Sequence, residues 1–337
     1  MLTRKRARRL SFLLAGLITL LLLFILPMTG RNWIGPDAIF SELPWHGLSG
    51  LSADARIYWG ERFPKTLLAM VAGSGLALCG MVLQAVFRNP LATPYTLGIA
   101  GGSAFGASVA IVLGGAGGVM LLGIPWATCG ALLGAILAMS VVFLLSGRND
   151  LAGDRMLLAG VAVSFFFTSL TLCVQYIADP TQSFRIVRWT MGGIDHCDAR
   201  HITLVATTVG SGAVFLATAW RELNLMLLGR DEAMSLGLNV TRFRYLLFIV
   251  TSLMVGVIVS VCGPIGFVGI MVPHCARLLV GGSHDRLFPL VLFGGALFLG
   301  ACYTISRIIL YPVILPTGVL TSLLGGPFFL WILFRKK

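Results

Sequence analysis

Apolar windows of roughly 20 residues, long enough for a helix to cross a bilayer, recur along the whole chain. They fall at 10–28, 64–87, 95–114, 119–146, 156–178, 201–220, 243–262, 265–280, 287–305 and 310–334. This pattern predicts an all-α polytopic membrane protein, a single transmembrane domain over 1–337 with about ten spanning helices. An even count puts both ends on one side. The eighth window is short and interrupted by proline and glycine.

One polar stretch breaks the pattern between Arg221 and Arg244, RELNLMLLGRDEAMSLGLNVTRFR. It is too charged for hydrocarbon and too regular for a slack linker. Asp231 and Glu232 stand where the first turn of a short helix favours acid, and Gly237 where such a helix stops. Leu228, Leu236 and Leu238 stay apolar, which suits a surface that docks on a partner; an ordinary amphipathic connector reads the same way.

Composition agrees with the windows. Apolar residues are 57% of the chain, charged residues 11%, and the mean hydropathy is +0.91, values outside the range of soluble domains. The 41 glycines fit helices whose backbones approach closely in lipid. A net charge of +12 raises nucleic acid as a partner, but its placement excludes that. Arg4, Lys5, Arg6, Arg8 and Arg9 precede the first span, and Arg335, Lys336 and Lys337 follow the last. With ten spans, nearly all of the excess falls on the side holding both termini, which makes that side cytoplasmic. The basic N-terminus followed by an apolar run resembles a signal peptide. Its length and the lack of a small-x-small site make it an uncleaved first helix.

Two interruptions suggest internal symmetry. The second span ends in RNPLATP (88–94) and the seventh in CGPIGFVG (262–269), corresponding places facing opposite sides. An inverted repeat requires this, and such breaks line substrate routes; two unrelated helix ends would look alike.

Candidate chemistry is sparse. No Walker-type loop is present, so the chain does not hydrolyse ATP. No HExxH and no carboxylate in the middle of a predicted span occur, which argues against a proton- or sodium-coupled carrier. His196, Cys197, Asp198 and His201 offer metal-ligand types within six residues, but no helical spacing gathers them, so no metal site is expected. The seven cysteines lack CxxC spacing and read as small core residues. Arg62, Lys65 and Arg307 are isolated cations at outer helix ends. They either snorkel to headgroups or anchor acidic residues of an external protein.

Six stretches stand out in order: RFPKTLLAMVAGSGLALCGMVLQAVFRNPLATPYTLGIAGGSAFGA (62–107), RMLLAGVAV (155–163), WTMGG (189–193), LGRDEAMSLGL (228–238), CGPIGFVGIMVPHCARLLVG (262–281) with His284, Asp285 and Arg286, and GVLTSLLGGPFFLWIL (318–333). They resemble the permease subunits of binding-protein-dependent ABC importers for iron-siderophore, haem and cobalamin complexes, the FecCD/BtuC-like permeases.

That resemblance implies a homodimer of ten-helix subunits in a bacterial inner membrane, with two cytoplasmic ATPase subunits holding ATP and Mg²⁺. It also implies a periplasmic or lipid-anchored substrate-binding protein, and no cofactor on this chain. Gly229, Asp231, Glu232, Ala233, Leu236 and Gly237 would contact the ATPase; Arg62, Lys65 and Arg307 would receive the binding protein. Gln84 and Asn89 would lie near the route, and Ala152, Gly153 and Asp154 at its cytoplasmic gate. The chain departs from the family pattern at Cys302-Tyr303, where Ala-Asp is usual, and at Ile314-Leu315-Pro316-Thr317-Gly318, where Glu opens the motif. An intramembrane metalloenzyme would instead bind metal and act without an ATPase; a secondary carrier would take up substrate without ATP.

Overall fold

The computed structural model describes residues 2–40, 44, 50–114, 120–121, 124–146, 154–194 and 197–335. Helix α1 (Leu2–Met28) leads to two short helices, α2 (Pro36–Phe40) and α3 (Ala53–Ile57). A π-helical turn at Tyr58–Arg62 joins α3 to α4 (Phe63–Val86). After a 3₁₀ turn at Pro94–Leu97 come α5 (Ile99–Leu113), a hairpin of β1 (Met120–Leu121) with β2 (Ile124–Pro125), α6 (Trp126–Ser146), α7 (Asp154–Ile177) and α8 (Pro180–Thr190). The second half holds α9 (Ala199–Thr218), α10 (Trp220–Leu228), α11 (Arg230–Ser235), α12 (Val240–Cys262), α13 (Val268–Val280), α14 (His284–Ile308) and α15 (Thr317–Arg335).

Six helical stretches among the described residues are long and apolar enough to span a membrane, and four shorter apolar helices fill the remaining predicted positions. The boundaries shift where backbone chemistry intervenes. The fourth span starts at Trp126 rather than 119, because the hairpin occupies the residues before it. The last starts at Thr317 rather than 310, since Pro312 and Pro316 lack the N–H a helix interior needs.

Helix α4 is the axis of the fold. It is apolar on all sides, as a helix enclosed by other helices must be, and residues 66 and 68–86 are buried except Val71. Its small residues bring backbones together. A Cβ on Gly73 would lie 2.2 Å from the Gly295 carbonyl oxygen of α14, and one on Gly80 1.9 Å from that of Gly269 in α13. Ser74 Oγ donates to Leu292 O at 2.8 Å, adding a polar tie to α14.

The two halves correspond. Helix α4 packs on α13 and α14, and α12 packs on α5 and α6. Each axial helix ends in a break with two positive-φ residues, Arg88 (50°) and Gly98 (78°) in the first half, Gly263 (66°) and Phe267 (67°) in the second. Each break feeds a short helix, α5 of 15 residues or α13 of 13. The Gly/Pro interruptions noted in the sequence therefore occupy equivalent places.

Candidate coupling site and basic cavity

The polar stretch folds into two short helices. Leu223 and Met226 seat α10 in the core, and Gly229 (φ 138°) turns the chain into α11. The Glu232 carboxylate folds back over that glycine, where an added Cβ would meet Oε2 at 2.3 Å. It thus lies beside the helix's unpaired N–H groups. The end of α11 is a Schellman motif. Leu238 N donates to Ala233 O at 3.0 Å and Gly237 N to Met234 O at 2.9 Å, with Gly237 at φ 89° as the motif requires. Ala233 is buried, whereas Asp231, Glu232, Met234 and Leu236 are exposed. The result is a rigid acidic and apolar knob.

The described residues expected along the route have structural contacts of their own. Gln84 is 4% exposed and clamps α4 to α13: its Nε2 donates to Gly269 O at 2.9 Å, and its Oε1 accepts from Arg277. Asn89 Oδ1 accepts from Leu91 N at 2.9 Å, closing the turn after α4. Ala152 and Gly153 lie outside the described residues, and Asp154 opens α7.

Where α1 stops, Arg62 and Arg307 converge on carbonyls at and just beyond its end. Arg62 Nη1 donates to Pro27 O at 3.3 Å and Asn32 O at 3.4 Å; Arg307 Nη2 donates to Leu26 O at 3.4 Å and Thr29 O at 3.2 Å. Cations at a helix C-terminus offset its partial negative charge. Both side chains therefore fix α1 to α4 and α14. Lys65 pairs with Glu61 at 3.8 Å.

Lys65 also lines a cavity of about 680 Å³ bounded by Arg185, Arg188, His201, Trp126 and Trp189, among others. No acidic side chain lines it among the described residues. Helix α8 carries the two arginines. It starts in a capping box, with Gln182 N donating to Asp179 Oδ1 at 2.9 Å and Asp179 N to Gln182 Oε1 at 3.3 Å.

Of the suspected metal cluster, His196 lies outside the described residues. His201 is 2% exposed, and its Nδ1 accepts from Asp198 N at 3.4 Å, closing the start of α9. Burial pushes the Cys197 thiol up to about 11, Lys65 pulling against that and Asp198 adding to it, so it stays protonated at neutral pH.

The FecCD transport family matches residues 17–335. The chain belongs to that family. It is 35% identical over 320 residues to the hemin transport system permease protein HmuU of Yersinia pestis, covering 94% of each chain. It is 35% identical over 342 residues to the vitamin B12 import system permease protein BtuC of Klebsiella pneumoniae, covering 100% of this chain and 96% of the relative. A solved structure, assigned to a metal-chelate type ABC transporter in an inward-facing conformation, superimposes with a TM-score of 0.82 at 28% identity, over 96% of this chain and 99% of that one. The protein is thus a membrane-embedded permease of a type II ABC importer, with the BtuC-like fold, and FecCD permeases work with a separate ATPase.

Three further features of this FecCD permease differ in how far sequence signals them. The capping box Asp179-Pro-Thr-Gln182 that opens α8 was legible in the sequence, being an acid followed three residues later by glutamine. Arg185 and Arg188 become cavity residues only once α8 is placed. The bond between Asn224 and His284 joins residues 60 positions apart and has no local signature.

Proposed function

We propose that the protein imports an anionic metal chelate, a ferric siderophore complex, across a bacterial inner membrane, with both termini cytoplasmic. It acts as a homodimer with two cytoplasmic ATPase subunits, which hold ATP and Mg²⁺, and receives cargo from a substrate-binding protein. The chain itself binds no cofactor. The cavity carries this reading: Lys65, Arg185 and Arg188 are among its lining residues, and such a concentration of basic side chains favours anions, while Trp126 and Trp189 offer faces to a large ligand.

The α11 knob supports ATPase contact at Gly229, Asp231, Glu232, Ala233, Leu236 and Gly237. Closure of the ATPase pair displaces the knob, and the spans exchange their accessible side. ATP drives this because it binds the two states with different affinity. Lys65 and the outer ends of α4 and α14, fixed by Arg62 and Arg307, form the docking surface for the binding protein. A route that held the chelate tightly would retain it, so tight binding belongs to that partner.

Uptake into proteoliposomes holding the permease, its ATPase and its binding protein tests the cargo. A ferric tricatecholate should enter faster than cobalamin, whose common form is neutral. R185Q/R188Q should slow the ferric chelate about tenfold while sparing any cobalamin uptake. Preferential uptake of cobalamin, or equal sensitivity of both cargoes, would overturn the assignment. Haem, a dicarboxylate that should share the arginine dependence, is separated from the siderophore by direct competition.

A further inference from the structure

We propose that Asn224 and His284 form the joint through which motion of the coupling helices enters the spanning bundle. The inference rests on the reading that α10 and α11 face the ATPase, and it concerns what lies behind that contact.

Helix α14 begins without a cap of its own. Ser283, at the N-cap position, makes no side-chain bond to the helix backbone, its Oγ donating instead to the Asp285 carboxylate. The cap comes from another helix: Asn224 Oδ1 on α10 accepts from His284 N at 2.8 Å. Asn224 Nδ2 donates to Ser283 Oγ at 3.5 Å, so the amide is engaged at both ends. His284 Nδ1 lies 2.9 Å from the same Oδ1. An amide oxygen can only accept, and its two lone pairs serve both groups, so the ring nitrogen is the donor, with hydrogen on Nδ1. His284 is 2% exposed, so breaking the bond inside the closed fold would leave its backbone and ring N–H groups without a partner. A buried donor left unmade is costly, and α10 and the start of α14 therefore move together.

What α14 receives it passes on as a body. Its 25 residues span about 38 Å at 1.5 Å per residue. Along that length Gly295 and Gly73 are in backbone contact and Ser74 is bonded to Leu292, so α14 cannot slide on α4. Helix α4 is held to α13 by Gly80 against Gly269 and by the Gln84 clamp, which Arg277 completes. At the far end Arg307 grips the carbonyls of α1. A displacement at His284 thus reaches the second-half break at Gly263–Phe267 and the outer face without a flexible link between. The competing route is the covalent one, from α11 through its Schellman turn into α12.

Transport per ATP hydrolysed, measured in proteoliposomes with the ATPase and binding protein present, separates the two. Asn224→Ala should retain at least about half the hydrolysis while uptake falls about tenfold, within the range of coupling energies between sites. Asn224→Asp keeps an acceptor for the His284 backbone and ring N–H groups and should restore most of the uptake. Wild-type coupling in N224A, or equal failure of N224A and N224D, would overturn the joint. A second variant guards against loss of folding: N224C/H284C, in a background without the native cysteines, should be uncoupled until a short thiol cross-linker bridges the pair, and then regain uptake. A bridged protein that stays uncoupled would also overturn the proposal. If instead α11 is not the ATPase contact, reversing Asp231 and Glu232 leaves both hydrolysis and uptake unchanged, an outcome independent of Asn224.

Discussion

Gly106→Leu should yield no stably folded protein. Gly102 and Gly106 on α5 face Gly134 and Gly130 on α6, two Gly-x-x-x-Gly motifs running antiparallel. A Cβ on Gly106 would lie 2.0 Å from Gly130 O, and one on Gly134 2.0 Å from Gly102 O. The obstacle in each case is a carbonyl, which no rotamer change removes. In lipid such helices associate by close packing rather than by water exclusion, so separating the backbones removes the attraction itself. Even Gly106→Ala should cost about 1–3 kcal/mol, the usual range for overpacking, and leucine considerably more. Gly210→Ala on α9 is the control: nothing lies within 4 Å of its added Cβ, and alanine favours a helix by about 1 kcal/mol over glycine. Thermal unfolding and monodispersity in detergent should rank the variants G210A, G106A, G106L from most to least stable. A G106L protein melting like the wild type would refute the packing account.

Reversing both acids of the knob, D231K/E232K, should abolish ATP-driven uptake while leaving the permease folded. Within the fold the change is modest. Acid in the first turn of a helix contributes about 0.3–1 kcal/mol per residue at an exposed site, and both side chains are exposed. At a protein interface the same reversal sets like charges together at a cost of several kcal/mol. The ATPase should then no longer copurify. The backbone should hold, since Gly237, Leu238 and the buried Ala233 that close α11 are unchanged. Retained copurification and uptake would remove α11 from the ATPase contact.

The spans were legible because each is a long apolar run, and the breaks after α4 and α12 because proline and glycine mark them. The short helix at Asp231 was equally legible: acids at its start and glycine at its end are local signals, and φ 89° at Gly237 bears out the stop. Contacts far apart in sequence were not. Arg62 and Arg307 read as lone outer cations, yet their acceptors are the end of α1, 281 residues from Arg307 in one case. Gln84 stands in a family motif, but its bond to Gly269, 185 positions away, which holds α4 to α13, has no local signature. The glycine content announced close helix contacts without saying that 102 meets 134 and 106 meets 130. Tertiary pairing of this kind leaves no local periodicity.

The central claim is that ATP on a partner subunit, rather than an ion gradient, drives the transport. Uptake of a radiolabelled ferric chelate into proteoliposomes bearing the permease, ATPase and binding protein tests it directly. Uptake should require ATP on the face that carries α11, persist when ionophores dissipate proton and sodium gradients, and stop when the ATPase subunit is inactivated. Uptake that continues without ATP and collapses with the ionophores would contradict the account.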